Sequence, residues 1–416
     1  MVEEELNFNN SEKIKRIRVK VIGIGGGGGS IVSEIALQLK KTIFLVANTD
    51  NSALKRISNK VKLFQFGQNV TSGLGTGMKP EIGEMAAENE RERIKKELKE
   101  IDLCIFVATL GGGTGSGAAP VFAKLSKNLG NLNYGIFTLP FDFEGKKKME
   151  IAKAALEKLN PNLHAFSIIP NERIFQTIDR GTPLKIALSQ INKILVQGLG
   201  GLIEIIYEPG LINIDFADVK TIFKSGRKLA FLNSIAARGE NRVKEAIENV
   251  LNSPLYPYNI QGARGILFNI TGDRNLGLSE VEQLSKNIFE LGERGAKIIF
   301  GISEEKEIKN EIKITLLALG CKSNFFPEET LPDTPRPKAK NKTRNPAAKN
   351  KLLKKVNVEE VEEVEKIVKK TDPENLQIRK NALQIKKELE AAEQELLEQE
   401  KFWETPAFLR KKIIKG

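Results

Sequence analysis

The chain is expected to fold as α/β: a doubly wound nucleotide-binding domain, a long central helix, a second α+β domain, then a disordered or helical linker and a C-terminal peptide. Three observations carry this expectation. Short apolar strands alternate with amphipathic helices to about residue 183. Two of those strands run straight into glycine-rich turns, and residues 184–206 form one strongly apolar helical stretch.

Ile17 to Ile22 alternates as a strand and enters Gly23-Ile24-Gly25-Gly26-Gly27-Gly28-Gly29-Ser30. Ile31, Ile35, Ala36 and Leu39 then have helical spacing, and Ile43 to Ala47 is a second strand. This is the opening of a βαβ unit, whose crossover is right-handed. Ile101 to Ala108 is almost continuously apolar, as in a parallel sheet covered on both faces. It enters a second turn, Gly111-Gly112-Gly113-Thr114-Gly115-Ser116-Gly117, followed by a helix through Val121, Phe122 and Leu125. Tyr134 to Leu139 is the next strand, and Phe143-Glu144-Gly145-Lys146-Lys147-Lys148 opens another helix.

The stretch at 184–206 is apolar on most of its circumference, so it is expected to lie buried between two domains. Glycines 198, 200 and 201 weaken its helix propensity, and close packing would explain them. Strands are expected at Lys228–Leu232, Gly265–Ile270, Ala296–Gly301 and Ile312–Leu317, with helices at about 240–252 and 278–292. The predicted boundaries are 13–183, 184–206, 207–325, 326–401 and 402–416. Residues 327–355 read as linker, rich in proline and basic residues. Ile378, Ala382, Ile385, Leu389, Ala392 and Leu396 are spaced 4, 3, 4, 3, 4, a heptad seam that suits a short coiled coil or a lone charged helix.

A chain of 416 residues suits two domains plus appendages. Its uninterrupted apolar runs are strand-sized, far below the ~20 residues that cross a bilayer, and Met1-Val2-Glu3-Glu4-Glu5 lacks the form of a secretory signal. No membrane span is expected. Cys104 and Cys321 are the only cysteines, which reads as reduced thiols in a cytosolic protein. His164 is the one histidine and is expected to be structural; a zinc cluster has no support. The net charge is +12, but nine Lys and Arg between Asp333 and Lys355, against one acid, supply much of the excess. A solvated run is the simpler reading, so no nucleic-acid partner is expected.

A glycine turn between strand and helix lets backbone N–H groups approach a phosphate, and the helix terminus adds about half a positive charge. Gly23 to Gly28 also satisfies G-x-G-x-x-G, and Asp50 stands near the end of the second strand, where a ribose-binding acid would be. A Rossmann-type NAD enzyme is therefore one reading. The second loop and a third glycine run, Gly73-Leu74-Gly75-Thr76-Gly77, favour a triphosphate over a pyrophosphate, and no G-x-x-x-x-G-K-[ST] loop is present.

Gly111 to Gly117 resembles the signature of the tubulin/FtsZ superfamily, and residues 17–320 resemble bacterial FtsZ. The shared motifs include Gly25 to Ser30, Asn48-Thr49-Asp50, Gly73-Leu74-Gly75, Pro140-Phe141, Phe143-Glu144-Gly145, Ile169-Pro170-Asn171 and Pro209 to Val219. The resemblance implies GTP or GDP held by Gly25, Gly26, Gly27, Gly28, Gly29, Ser30, Gly75, Gly112, Gly113, Thr114, Gly115, Ser116 and Gly117. It places Glu144, Lys148 and Asn171 at the nucleotide, with Asn192 and Lys193 toward the base. Magnesium is expected as the nucleotide's counter-ion, with no metal ligands assigned.

Asp215 and Asp218, three apart at a helix start, would ordinarily cap that helix. In the resemblance, Asn213, Asp215 and Asp218 are instead catalytic: their loop enters the pocket of the next subunit and polarises the attacking water. That implies an assembly-dependent GTPase of bacterial cell division, forming head-to-tail protofilaments at mid-cell on the inner face of the membrane. Two departures stand at the base end. An ungapped reading puts Leu188 where the family carries an aromatic that stacks on guanine, and Lys193 where it carries an Asp that hydrogen-bonds the base. A lysine cannot accept guanine's N–H donors. Lys148 replaces an arginine, keeping the charge but losing the planar fork. Glu404 to Lys412 resembles the family's terminal peptide, so Pro406, Phe408, Leu409 and Arg410 are expected to dock on membrane-tethering partners. A nucleotide-binding structural paralog with weak or no hydrolysis is the alternative.

Overall fold

The computed structural model describes residues 17–39, 42–58, 60–224 and 228–322. The predicted linker, the heptad stretch and the peptide with Pro406, Phe408, Leu409 and Arg410 lie outside the described residues.

The first half is a six-stranded, all-parallel sheet. In chain order its elements are β1 (Val19–Ile24), α1 (Gly25–Gln38), β2 (Ile43–Asn48), α2 (Asn51–Leu54), β3 (Lys62–Gln65), α3 (Gln68–Thr71), α4 (Pro80–Asn89) and α5 (Arg91–Leu98). Then come β4 (Leu103–Thr109), α6 (Gly113–Asn128), β5 (Leu132–Leu139), α7 (Lys146–Leu159) and β6 (Ala165–Pro170). The strand order is β3-β2-β1-β4-β5-β6. The chain therefore winds outward from β1 in one direction and from β4 in the other. Ligands of such sheets bind where the winding reverses, outside the carboxyl ends of the two central strands. Both long glycine turns leave from those two ends. Every residue of β1 is buried, Lys20 included, whose Nζ reaches Glu97 Oε2 at 3.3 Å, as expected of a central strand covered on both faces.

Helix α8 (Leu184–Tyr207) follows. Among the described residues it is the one helix long and apolar enough to cross a membrane, with 56% of the qualifying window buried. Its apolarity serves packing against α1 on one side and the second sheet on the other. A Cβ at Gly201 would strike the hydroxyls of Thr315 and Ser234, and one at Gly198 would press on Leu232 at 3.3 Å. These glycines let α8 approach the sheet.

The second half comprises α9 (Phe216–Phe223), β7 (Ala230–Arg238), α10 (Arg242–Leu251), β8 (Ala263–Gly272), α11 (Leu278–Phe289), β9 (Gly292–Glu304) and β10 (Glu311–Leu319). Its sheet runs β7-β10-β8-β9, antiparallel except for the β8–β9 pair. The strands outrun the predicted ones. Pairing with β10 carries β7 through Ala236 and Arg238, and pairing with β8 extends β9 back to Gly292, beside a bulge at Ala263–Gly265, and on to Glu304. Ladder partners, rather than side-chain propensity, set those ends.

A buried polar chain joins the two sheets. Tyr134 and Ser167 hydroxyls are 2.7 Å apart, and both Ser167 Oγ and Tyr258 Oη donate to the Ala230 carbonyl. Phe166 N donates to the Lys228 carbonyl at 2.8 Å, so β6 continues into the start of β7. Burial drives the Tyr134 and Tyr258 phenols well above their ordinary range, so they remain hydrogen-bond donors.

Candidate nucleotide-binding site

A cavity of about 770 Å³ opens at the carboxyl ends of β1 and β4. Gly25, Gly26 and Gly27 form one wall and Gly112, Gly113, Thr114 and Gly115 another. These stretches are the first turns of α1 and α6, with the cap residue Gly112. The first N–H groups of a helix have no intrahelical acceptor. No side chain caps either helix, and neither carries an acid in its first turn. Two helix termini therefore present backbone donors and positive dipole ends to one space, the chemistry that binds phosphate.

The loops approach closely because most of their residues lack Cβ atoms. Gly25 has φ +78°, and a Cβ there would lie 2.9 Å from Gly115 N. At Gly26 and Gly112 a Cβ would meet no protein atom within 4 Å, so these two positions adjoin open space. Thr114 ties the site together: its hydroxyl is 2.8 Å from Thr49 Oγ1 and 3.4 Å from Thr76 Oγ1, linking the end of β2 and the third glycine run to α6. Gly75, with φ +84°, lines the cavity beside Leu74 and Thr76.

The remaining predicted phosphate residues sit behind this wall. A Cβ at Gly28 would run into the Val107 carbonyl, at Gly29 into Val46, and at Gly117 into the Pro80 carbonyl. Their smallness lets α1 pack on the sheet and α6 on α4, and none of the three, predicted to hold phosphate, lines the cavity. Ser116 Oγ accepts from Gly111 N at 2.9 Å and shapes the second loop, while Ser30 Oγ turns back to the Gly26 carbonyl at 3.1 Å. Asp50 reaches the cavity, but its Oδ1 caps α2 by accepting from Ser52 N and Ala53 N at 2.8 and 3.1 Å.

Glu144, Lys148 and Asn171 also line the cavity. Lys148 Nζ donates to Glu144 Oε2 at 2.8 Å, and Glu144 Oε1 accepts from Phe141 N at 2.9 Å, which holds the pair at the rim. Toward α8 the wall is Leu184 and Leu188. Asn192 and Lys193 are not on it. Lys193 is exposed, and Asn192 Nδ2 donates to Glu34 Oε2 at 2.6 Å. Phe143, Leu74 and Asn48 also line the cavity. All three stand within the shared motifs without an assigned role, and Phe143 stacks on Phe141 with ring centroids 4.9 Å apart. Among the described residues no three His, Cys, Asp or Glu side chains gather as a metal cage.

Asn213, Asp215 and Asp218 are not on this cavity. Asp215 caps α9, accepting from Asp218 N at 2.9 Å, while Asp218 Oδ2 accepts from Asp215 N at 3.3 Å. Asn213 Oδ1 accepts from Gly210 N at 3.4 Å, and Ile212 bridges to Ile302 of β9. His164 is structural here: its Nδ1 accepts from Asn133 N at 3.0 Å. Burial, then Lys127, Lys228 and Lys224, lowers its pKa.

Fold and cavity define a class, an α/β protein that grips a nucleotide's phosphates between two helix termini at a sheet's switch point. The model for the Tubulin/FtsZ family, GTPase domain, matches residues 18–179, and that for the FtsZ family, C-terminal domain, matches residues 229–322. The M. jannaschii FtsZ dimer is similar at 35% identity and TM-score 0.67, over 73% of this chain and 88% of that one. CetZ2 from Haloferax volcanii, solved as a GTPγS-bound protofilament, shares the fold at 20% identity and TM-score 0.65, over 76% of this chain and 96% of that one. CetZ from Methanosaeta thermophila shares it at 20% identity and TM-score 0.63, over 93% of this chain and 99% of that one. The chain belongs to the tubulin/FtsZ family, and its N-terminal half is a tubulin-like GTPase domain for guanine nucleotides. The NAD-enzyme reading falls with this, although the strand order is also that of dinucleotide-binding sheets.

Proposed function

We propose that this protein is a self-assembling GTPase of bacterial cell division. Subunits stack head to tail into protofilaments of the cytokinetic ring, and each GTP is hydrolysed when the next subunit inserts Asn213, Asp215 and Asp218 beside its γ-phosphate. The observation that carries this reading is the separation of two half-sites. The phosphate-binding wall lacks the acids, and the acids stand on a loop whose Leu211 and Ile212 are 74% and 42% exposed. Leu74, Phe143 and Leu184, at 84%, 70% and 56% exposure, ring the cavity with matching apolar surface. A heterologous contact of this kind propagates into an open filament when its rotation does not close a ring. Within one subunit, two carboxylates beside a triphosphate would repel it; brought in from outside, they orient a water. The terminal peptide would tether the filament to partners on the inner face of the membrane, with magnesium travelling on the nucleotide.

Complementation in trans tests the arrangement. GTP should drive the wild type into the pellet with phosphate release, whereas Asp215→Ala should pellet without turnover. Gly112→Val, whose side chain enters the cavity, should bind no nucleotide. Mixing the two variants should restore part of the turnover, because the second lends its acids to the GTP of the first. Full activity in Asp215→Ala would refute the assignment, as would co-pelleting without rescue. Wild-type pelleting without turnover would favour the non-hydrolysing structural paralog.

A further inference from the structure

Glu34 is the only acid on α1, and Glu204, engaged with Lys313 near the far end, is the only acid on α8. The two helices meet at Glu34: its Oε1 accepts from Ser189 Oγ at 3.1 Å and its Oε2 from Asn192 Nδ2 at 2.6 Å. On α1, Gly26, Ser30 and Glu34 are spaced at four residues and share a stripe, with Ser30 Oγ bonded to the Gly26 carbonyl. On α8, Leu184, Leu188 and Asn192 do the same. The first members of both stripes line the cavity, and the last members are the hydrogen-bonded pair. At 1.5 Å per residue, Glu34 stands roughly 12 Å along α1 from the phosphate-side Gly26, about the reach of a nucleoside.

We propose that Glu34 is the carboxylate that reads the base, accepting from the adjacent N1–H and N2–H₂ donors of guanine. This rests on the guanine-nucleotide reading of the cavity. A carboxylate offers about four lone-pair sites, and α8 occupies two, so two remain. The bonds from Ser189 and Asn192 hold the group in place, which lowers the entropy cost of using it. Glu34 stands beyond the lining, next along α1, and the two carboxylates that do line the cavity have separate tasks: Asp50 caps α2, and Glu144 binds Lys148 and Phe141 N. Lys193 is exposed and has only donors. Adenine presents an acceptor, N1, at the corresponding edge and is repelled.

The test is base selectivity in the full chain. GTP, ITP, XTP and ATP affinities are measured by competition for wild type, Glu34→Gln and Ser189→Ala, with thermal melts to confirm folding. ITP lacks the 2-amino donor, and XTP replaces it with a carbonyl acceptor. In wild type, GTP should bind tighter than ITP, XTP and ATP. In Glu34→Gln, GTP should weaken roughly tenfold to a hundredfold and XTP should strengthen, because an amide can accept from N1–H while donating to the C2 carbonyl. Ser189→Ala should leave the ratios in wild-type order. Equal loss for every nucleotide in Glu34→Gln would mean that Glu34 merely braces α8, and unchanged ratios would mean that it does not touch the base; either overturns the proposal. Wild type without GTP binding overturns the parent reading as well, whereas GTP binding with unaltered selectivity in Glu34→Gln overturns this inference alone.

Discussion

The glycines of the first loop divide into two kinds, and a pair of alanine substitutions should separate them. At Gly26 a Cβ meets nothing within 4 Å, and the residue lies in the first turn of α1 with an ordinary helical backbone. Gly26→Ala should leave stability unchanged or raise it by up to about 1 kcal/mol through helix propensity. The same methyl occupies the approach to the α1 N–H groups. Losing one or two charge-assisted hydrogen bonds, at about 1.5–3 kcal/mol each, should weaken GTP by about tenfold or more. At Gly28 the Cβ would collide with the Val107 carbonyl and come within 3.1 Å of Ala108 Cα, both rigid parts of β4. Overpacking costs about 1–3 kcal/mol, partly offset by propensity. At about 2–4 °C per kcal/mol for a domain of this size, Gly28→Ala should melt several degrees lower. Differential scanning fluorimetry without nucleotide gives stability, and equilibrium binding below the melting range gives affinity. Equal destabilisation by both variants would refute the division between cavity and packing glycines. So would a Gly26→Ala protein that binds GTP as the wild type does.

Two further outcomes follow from buried groups. His164 is held below its ordinary pKa by burial and nearby lysines, so the unfolded chain takes up its proton first. Its contribution is full above pH 6.5 and is lost as pH falls through the lowered folded value; His164→Gln, which keeps an acceptor for Asn133 N, should show a smaller drop in urea midpoint between pH 7.5 and 5.5. Burial pushes the Cys104 thiol up to about 11 and the Cys321 thiol up to about 12. Neither should react with a thiol reagent at pH 8 until denaturant is added, and labelling of the native protein would show that the core opens more readily than the packing implies.

The parts that were legible in the sequence are those where local pattern and tertiary role coincide. Apolar runs such as Leu103–Thr109 are buried on both faces, and the turns at Gly25 and Gly112 open helices in the structure. The glycines of α8 were readable as packing sites because each lowers propensity without another local reason. What stayed hidden depends on long-range partners. Short β3 has two exposed residues in a sequence of four and owes its place to β2. The difference between Gly26 and Gly28 lies in what β4 puts behind each, more than 75 positions away. Glu34 carries no motif at all; its meaning comes from Ser189 and Asn192, at separations of 155 and 158.

The Asp215–Asp218 pair shows how a capping motif and a catalytic one can occupy the same atoms. Each carboxylate accepts one backbone N–H from the other residue, which leaves further lone pairs and fixes both groups at the exposed start of α9. In the proposed filament the cap would preorganise the acids, so the entering loop loses little freedom on docking. The two roles respond differently to substitution. Asparagine caps a helix as well as aspartate does, whereas alanine costs about 0.5–2 kcal/mol. Asp215→Asn should therefore melt like the wild type and Asp215→Ala lower, yet both should lose GTP turnover while still pelleting with nucleotide. Turnover that tracked the melting temperature, high in Asn and low in Ala, would show that the cap alone matters. It would also remove the case for a charge that acts on the neighbouring subunit's phosphate.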